Sequence, residues 1–421
     1  MNTKHRLIVM NFLEFFIWGS WLISLGGYMI VKLHFTGSQV GSIYATMGIA
    51  SLFMPTLMGI IADRWVNAEK VLGFCHIIVA LLLIWAAQVT EYKMMYIIML
   101  LNSMFYMPTL ALNNAVSYAI LQKEGIDIIK FFPPIRVWGT VGFICAMWVI
   151  DFGKWSLSPV QLYVSAIAAI ALGLYAFTLP ACPPSRVKKD GSILSYTGLD
   201  ALILFKRRKM LIFFIFAMLI GAALQITNTF GEAFLHDFTA LYPSSFAVQH
   251  PSLLMSVSQI SETLFILTIP FFLKRFGIQK VMLMSIFAWV LRFAFFGLGN
   301  PDDRFILLFL SMIVYGMAFD FFNVSGSLFV KKEADNTIIA SAQGLFMLMT
   351  NGIGAFLGGT LSGWVVDYFT YDGVRDWPKI WFTFAGYALL LGIAFPFIFK
   401  DDHRPKNELN QLQSIKQSGS S

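Results

Sequence analysis

Charge is what this chain has least of. Asp, Glu, Lys and Arg make up 13% of its 421 residues, about half the share with which a soluble domain coats its surface, and a soluble body of this size is thereby excluded. Cysteine is scarce too. Cys75, Cys145 and Cys182 lie far apart, two of them in apolar runs, which is neither a disulfide framework nor a metal-ligand spacing, so free thiols are expected. Catalytic patterns are missing: there is no Ser/His/Asp set, no His-Glu-x-x-His and no Gly-rich nucleotide loop, and the six His are scattered. An enzyme, a metal centre and a resident cofactor therefore have no support. The opening Met-Asn-Thr-Lys-His-Arg leads into a long apolar run with no small-residue cleavage site, which reads as a retained first helix rather than a removable leader.

What the chain does have is apolar length, 57% hydrophobic residues arranged in long runs. Each run is part of a stretch able to cross roughly 30 Å of hydrocarbon as a helix, the natural element where backbone amides must be satisfied within the segment. Breaks at charged, Pro and Gly positions predict helices near 8–31, 38–62, 69–90, 94–120, 134–153, 160–180, 208–233, 250–273, 279–299, 304–330, 337–367 and 378–400. The fold class expected is thus an all-α membrane protein with twelve spanning helices. An even number puts both termini on one side, and the distribution of basic residues tests this. With the termini cytoplasmic, 22 of the 30 Lys and Arg fall in inside segments and six in outside ones, leaving Arg136 and Arg292 within spans. The basic surplus reflects topology and contact with anionic lipid, and no nucleic acid is implied.

The longest polar stretch between spans, Ala181 to Lys209, divides the chain into six helices and six. We expect a first bundle over 1–180, a cytoplasmic linker over 181–207, a second bundle over 208–403 and a disordered tail over 404–421. Such halves rock about a site near the membrane midplane. Gly59-Ile-Ile-Ala-Asp63-Arg64 closes helix 2, with echoes in Phe272-Leu-Lys274-Arg275-Phe-Gly277 and Gly363-Trp-Val-Val-Asp367. Gly-x-x-x-Asp-Arg after a second helix resembles the conserved loop of the major facilitator superfamily, which makes Asp63 and Arg64 a gate or cap element; a solvated helix end is the alternative.

An ionisable group at mid-membrane costs at least about 2.5–3.5 kcal/mol, so each one inside a span is a functional candidate. The candidates are Glu14, Arg136, Glu262, Arg292 and Asp320. Helical spacing gathers neighbours onto their faces. Arg136, Thr140 and Phe143 share one stripe, Gln225 and Asn228 a second, Gln259 and Glu262 a third, and Tyr315 and Phe319, with Asp320 adjacent, a fourth. Around one cavity these stripes suit a flat, polyhydroxylated heterocycle: an aromatic stacks on a base, an amide pairs with its edge, and Glu accepts from ribose hydroxyls. Plainer readings stand beside each. Gln225 and Asn228 would serve as interhelical glue, Phe143 and Phe319 as packing, and Arg136, just after Pro133-Pro134, as a snorkelling cation. Arg292, with no carboxylate in its own turn, reads as structural. Glu14 either lines the cavity or sits in a helix contact.

Glu14-Phe-Phe-Ile-Trp18-Gly-Ser-Trp21, Phe132-Pro-Pro-Ile-Arg136-Val-Trp-Gly139-Thr140, Leu224-Gln-Ile-Thr-Asn228, Ser258-Gln-Ile-Ser-Glu262 and Tyr315-Gly-Met-Ala-Phe319-Asp320-Phe-Phe-Asn323 together resemble the bacterial nucleoside:proton symporters of the major facilitator superfamily. The resemblance runs from the first helix to the last. It implies proton-coupled nucleoside uptake across the bacterial inner membrane by a multi-pass protein, working as a monomer without cofactor or metal. It further implies that Arg136, Thr140, Phe143, Gln225, Asn228, Gln259, Glu262, Tyr315 and Phe319 line the nucleoside site, with Glu262 and Asp320 as proton-coupling groups. Position 14 departs from the pattern, since the family more often carries an uncharged Gln there. Glu14 is thereby a further coupling candidate. The rivals are a facilitator or antiporter for another small polar solute on the same fold, and a membrane sensor that binds without transport.

Overall fold

A computed structural model describes residues 2–184, 199–335 and 338–399. The expected linker and tail fall largely outside the described residues. Apolar runs become helices wherever the backbone can close its own hydrogen bonds. The first half holds α1 (Thr3–Gly19), α2 (Leu25–Val31), α3 (Gly37–Arg64), α4 (Ala68–Ala86), α5 (Tyr92–Lys123), α6 (Ile128–Phe152) and α7 (Val160–Ala176). The second half holds α8 (Arg208–His236), α9 (Pro251–Leu298), α10 (Phe305–Glu333), α11 (Ile339–Met347), α12 (Ala355–Tyr368) and α13 (Trp377–Ile398). Among the described residues, nine helices are long and apolar enough to cross a membrane, and α7 is a shorter apolar helix.

Two details differ from the expected helices, and a third, the bend at Gly277, falls at an expected break. The first run is broken between α1 and α2, where the Ser20 hydroxyl donates to the Phe16 carbonyl at 2.8 Å and competes with the helical ladder. The 48-residue α9 is two helices in series, bent at Gly277, whose φ of 77° is one that favours glycine. A widened π-type stretch, Leu348–Gly354, separates α11 from α12. Beyond α12 a two-residue hairpin pairs Thr370 with Arg375, its turn formed by Asp372 and Gly373 at positive φ.

The start of α1 and the end of α13 lie at one end of the bundle, here the terminal end. At the opposite, far end the halves are clamped together. A Cβ on Gly41 would lie 2.1 Å from the Gly359 carbonyl oxygen, and one on Gly48 2.5 Å from that of Gly352, so α3 meets α12 and the π-type stretch backbone to backbone, as small residues allow. Asp367 at the end of α12 accepts from the Gly37 N–H and, at 2.9 Å, the Ser38 N–H, capping α3. Reciprocally, Asp151 at the end of α6 accepts from the Ser252 and Leu253 N–H groups at 3.1 and 3.3 Å, capping α9, and lies 2.6 Å from His250 Nδ1. Each carboxylate thus satisfies helix-start amides of the other half. Toward the terminal end α3 leaves its partner: Gly59 has open space around it, and Leu52, Phe53 and Leu57 are exposed. Contacts there, Thr3 with Glu124 and Lys209 with Glu333, each stay within one half. Among the described residues, the halves are joined at the far end, and α3 stands clear of its partner at the terminal end.

Candidate functional site

Arg136 projects from α6 toward the gap between the halves. Its guanidinium carbon stands 3.9 Å from the centre of the Phe15 ring, an arrangement that holds a cation by the ring quadrupole and keeps its fork presented edgewise. The charges that act on it are Glu262 from α9 and Glu14 from α1. Thr140, one turn on, is half-buried. Phe143 is buried, with its ring edge-on to Trp18 at 6.3 Å.

On the other half, Glu262 is half-buried and faces Arg136, Asp320 and the Tyr315 hydroxyl electrostatically. Gln259, one turn before it, hydrogen-bonds the Tyr315 side chain. Tyr315 and Phe319 are parallel, their ring centres 6.0 Å apart and 7° from coplanar, as i, i+4 spacing requires. Asp320 is buried, and its Oδ2 has no hydrogen-bond partner among the described residues. Gln225 is also buried with its Nε2 unpartnered, while Asn228 is half-buried. Phe319, Leu224, Trp289, Asn323, Thr350 and Asn351 line one crevice beside this group. Buried polar atoms normally find partners. Here two groups of the second half, an amide and a carboxylate, do not.

The structure therefore links Arg136 of the first half electrostatically to Glu262 of the second, and Glu262 to Asp320 and Tyr315, with Gln259 bonded to Tyr315 and Phe319 stacked beside it. It does not bring Glu14 there directly. Glu14 is fully buried within the first half, with Oε2 2.8 Å from His76 Nε2 and Oε1 accepting from the Thr109 hydroxyl at 2.6 Å. The Tyr106 hydroxyl donates to the Glu14 carbonyl oxygen at 2.7 Å. Asp63 and Arg64 are exposed at the terminal end of α3. Arg292 is fully buried, donating to the Ser311 carbonyl at 2.8 Å and lying 4.5 Å from the Tyr315 ring centre, where it supports that ring from behind. His76 and Tyr106 escaped the reading by spacing, although a His inside the apolar run of α4 carries the same intramembrane signal that singled out Glu14.

Residues 1–404 match the family described as Nucleoside H+ symporter. The chain belongs to that family. Over 409 residues it is 56% identical to the xanthosine permease of Escherichia coli, covering 96% of this chain and 98% of that one. Over 406 residues it is 53% identical to the nucleoside permease NupG of the same organism, covering 96% and 97% respectively. A crystal structure of the nucleoside transporter NupG, in an aspartate-to-alanine mutant, superposes with a TM-score of 0.93 at 53% identity, covering 95% of this chain and all of that one. A peptide transporter of the POT family superposes with a TM-score of 0.73 at 14% identity and shares the fold alone. The family-level resemblance of the sequence motifs is thus borne out, and this symporter is a multi-pass protein of the bacterial inner membrane.

Proposed function

We infer that the chain takes up nucleosides together with protons by alternating access. One arrangement supports the mechanism: Arg136 on one half lies within electrostatic reach of Glu262 on the other, and Glu262 within reach of Asp320. Thr140, Phe143, Gln225, Asn228, Gln259, Tyr315 and Phe319 bind the nucleoside around them, the aromatics stacking on the base and the amides reading its edge. Without a proton, Arg136 is held by the carboxylates of the opposite half. When Glu262 or Asp320 takes a proton from outside, that attraction weakens, nucleoside replaces it, and the loaded halves rock about the site. Release inward restores the carboxylate and its hold on Arg136, and the empty carrier returns.

The bend at Gly277, the broken first run and the short α7 bring the nine long helices to twelve crossings, in halves over 1–180 and 208–403. The basic residues support both termini facing the cytoplasm. The splayed terminal end then makes this conformation open inward, with Asp63 and Arg64 beside the inner mouth. A single copy in the bilayer contains every group the cycle needs, which supports a monomer.

Uptake of radiolabelled uridine by cells expressing the protein tests the reading. It is expected to collapse with a protonophore and to be competed by nucleosides but not sugars. Uptake indifferent to the protonophore means facilitation, and saturable binding without flux in proteoliposomes means a sensor.

A further inference from the structure

We propose that Glu14 and His76 form a second proton-binding site, in the first half, which shares Arg136 with Glu262 as its counter-charge. The inference rests on the reading of Glu262 as a coupling carboxylate. The pair is wholly enclosed, each side chain 0% exposed, and an enclosed ionisable pair within a span is a functional site by default.

Hydrogen-bond chemistry assigns the proton's place. Glu14 as a carboxylate only accepts, and it already takes the Thr109 hydroxyl on Oε1. His76 Nε2, facing Oε2 at 2.8 Å, therefore carries the hydrogen in the neutral tautomer. That leaves Nδ1 as a bare acceptor, and it is buried with no partner among the described residues. A proton added at Nδ1 makes a neutral imidazolium–carboxylate pair; its loss leaves the pair with one negative charge.

The groups that face the pair come from α1, α4, α5 and α6, and α7, which also packs on α1 and α4, adds the Ser165 hydroxyl, which donates to the Ile17 carbonyl at 2.7 Å. From α1 come Glu14 and, one turn earlier, Asn11. From α4 come His76 and Cys75, whose thiol feels the Glu14 charge. From α5 come Thr109 and Tyr106, the latter presenting its ring edge to His76 at 6.1 Å. From α6 comes Arg136, a cation that acts on Glu14. A polar seam continues from the pair toward the terminal end: Asn113 donates to Asn11 Oδ1 at 2.9 Å, and Asn11 reaches the Ser117 hydroxyl at 3.4 Å. Thr109, Asn113 and Ser117 follow one another at four-residue spacing on α5, giving the pair a hydrophilic route away from the central gap.

One cation facing two acidic sites favours a single negative charge between them. When Glu262 is protonated, Arg136 stabilises Glu14 and His76 releases its proton. When Glu262 is charged and holds Arg136, the pair keeps its proton. The Trp18 ring stands between Tyr106 and Phe143, 5.9 and 6.3 Å away, so the coupling passes by charge rather than by direct contact.

The test is the pH profile of uridine uptake in proteoliposomes containing wild type, Glu14→Gln or His76→Gln. Glu14→Gln removes the competing negative charge, leaves Arg136 with Glu262, and is expected to move the pH of half-maximal uptake downward. His76→Gln leaves Glu14 permanently charged, draws Arg136 away, and is expected to move it upward. Each displacement should be on the order of one pH unit, as for a unit charge at roughly 10 Å in an effective dielectric of about 20. A merely structural pair gives shifts of one sign, or lost activity without a shift, and either result overturns the proposal. Should a single variant not fold, the doubly substituted Glu14→Gln/His76→Gln protein, neutral like the loaded pair, is expected to shift downward, and an unmoved profile overturns it. If Glu262→Gln leaves proton-driven uptake intact, the underlying reading fails instead.

Discussion

At the scale of single residues, the decisive groups are the carboxylates of the second half. Glu262 and Asp320 stand close enough to act on each other, and a proton on either relieves both the repulsion and the hold on Arg136. Neutral substitutes fix the relieved state. Glu262→Gln and Asp320→Asn are therefore expected to abolish proton-driven accumulation of uridine while sparing exchange between uridine on the two sides, measured as counterflow. Loss of both activities would mean that the side chain binds substrate only. Most of these groups could be read from the sequence, because intramembrane charge is costly and helical spacing shows which neighbours share its face. Spacing works only within one helix, however. The partners Glu14 and His76 are 62 positions apart, and no periodicity joins them.

At the scale of elements, the far end depends on two reciprocal caps and a glycine crossing. Asp151 of α6 satisfies the start of α9, and Asp367 of α12 satisfies the start of α3. A lost cap costs about 1 kcal/mol, so Asp151→Ala with Asp367→Ala is expected to favour the outward-open state by roughly thirtyfold. Spin labels at Lys32 and Tyr371, exposed on opposite halves, should report a population at longer separation. An unchanged distance distribution would mean that the glycine crossing alone closes this end. Apolar runs announced the helices themselves, but not the interruption between Gly19 and Leu25 or the widened turn at Leu348–Gly354, since hydropathy is blind to a local change in hydrogen-bond register. The bend at Gly277 coincided with an expected helix break, because Lys274 and Arg275 mark it in the sequence.

At the scale of the molecule, orientation follows from the basic residues. In the proposed topology most of them fall on the side that carries both termini, so a green fluorescent protein fused after Ser421 is expected to fluoresce and an alkaline phosphatase at the same point to be inactive. An active phosphatase would invert the topology and with it the direction of transport. The proposed division into halves rests on a polar interval, whereas the meeting of the halves leaves no mark in the sequence, because the glycines, carboxylates and helix starts that join them lie hundreds of positions apart.

The central claim is that polar groups from both halves make one nucleoside site, and calorimetric titration of uridine into the purified protein tests it most directly. Wild type should bind saturably, and Arg136→Ala in the first half and Gln225→Ala in the second should each weaken binding by about tenfold, the loss of roughly 1.4 kcal/mol. Binding that responds to substitutions in one half alone, or no binding of nucleoside at all, would contradict it.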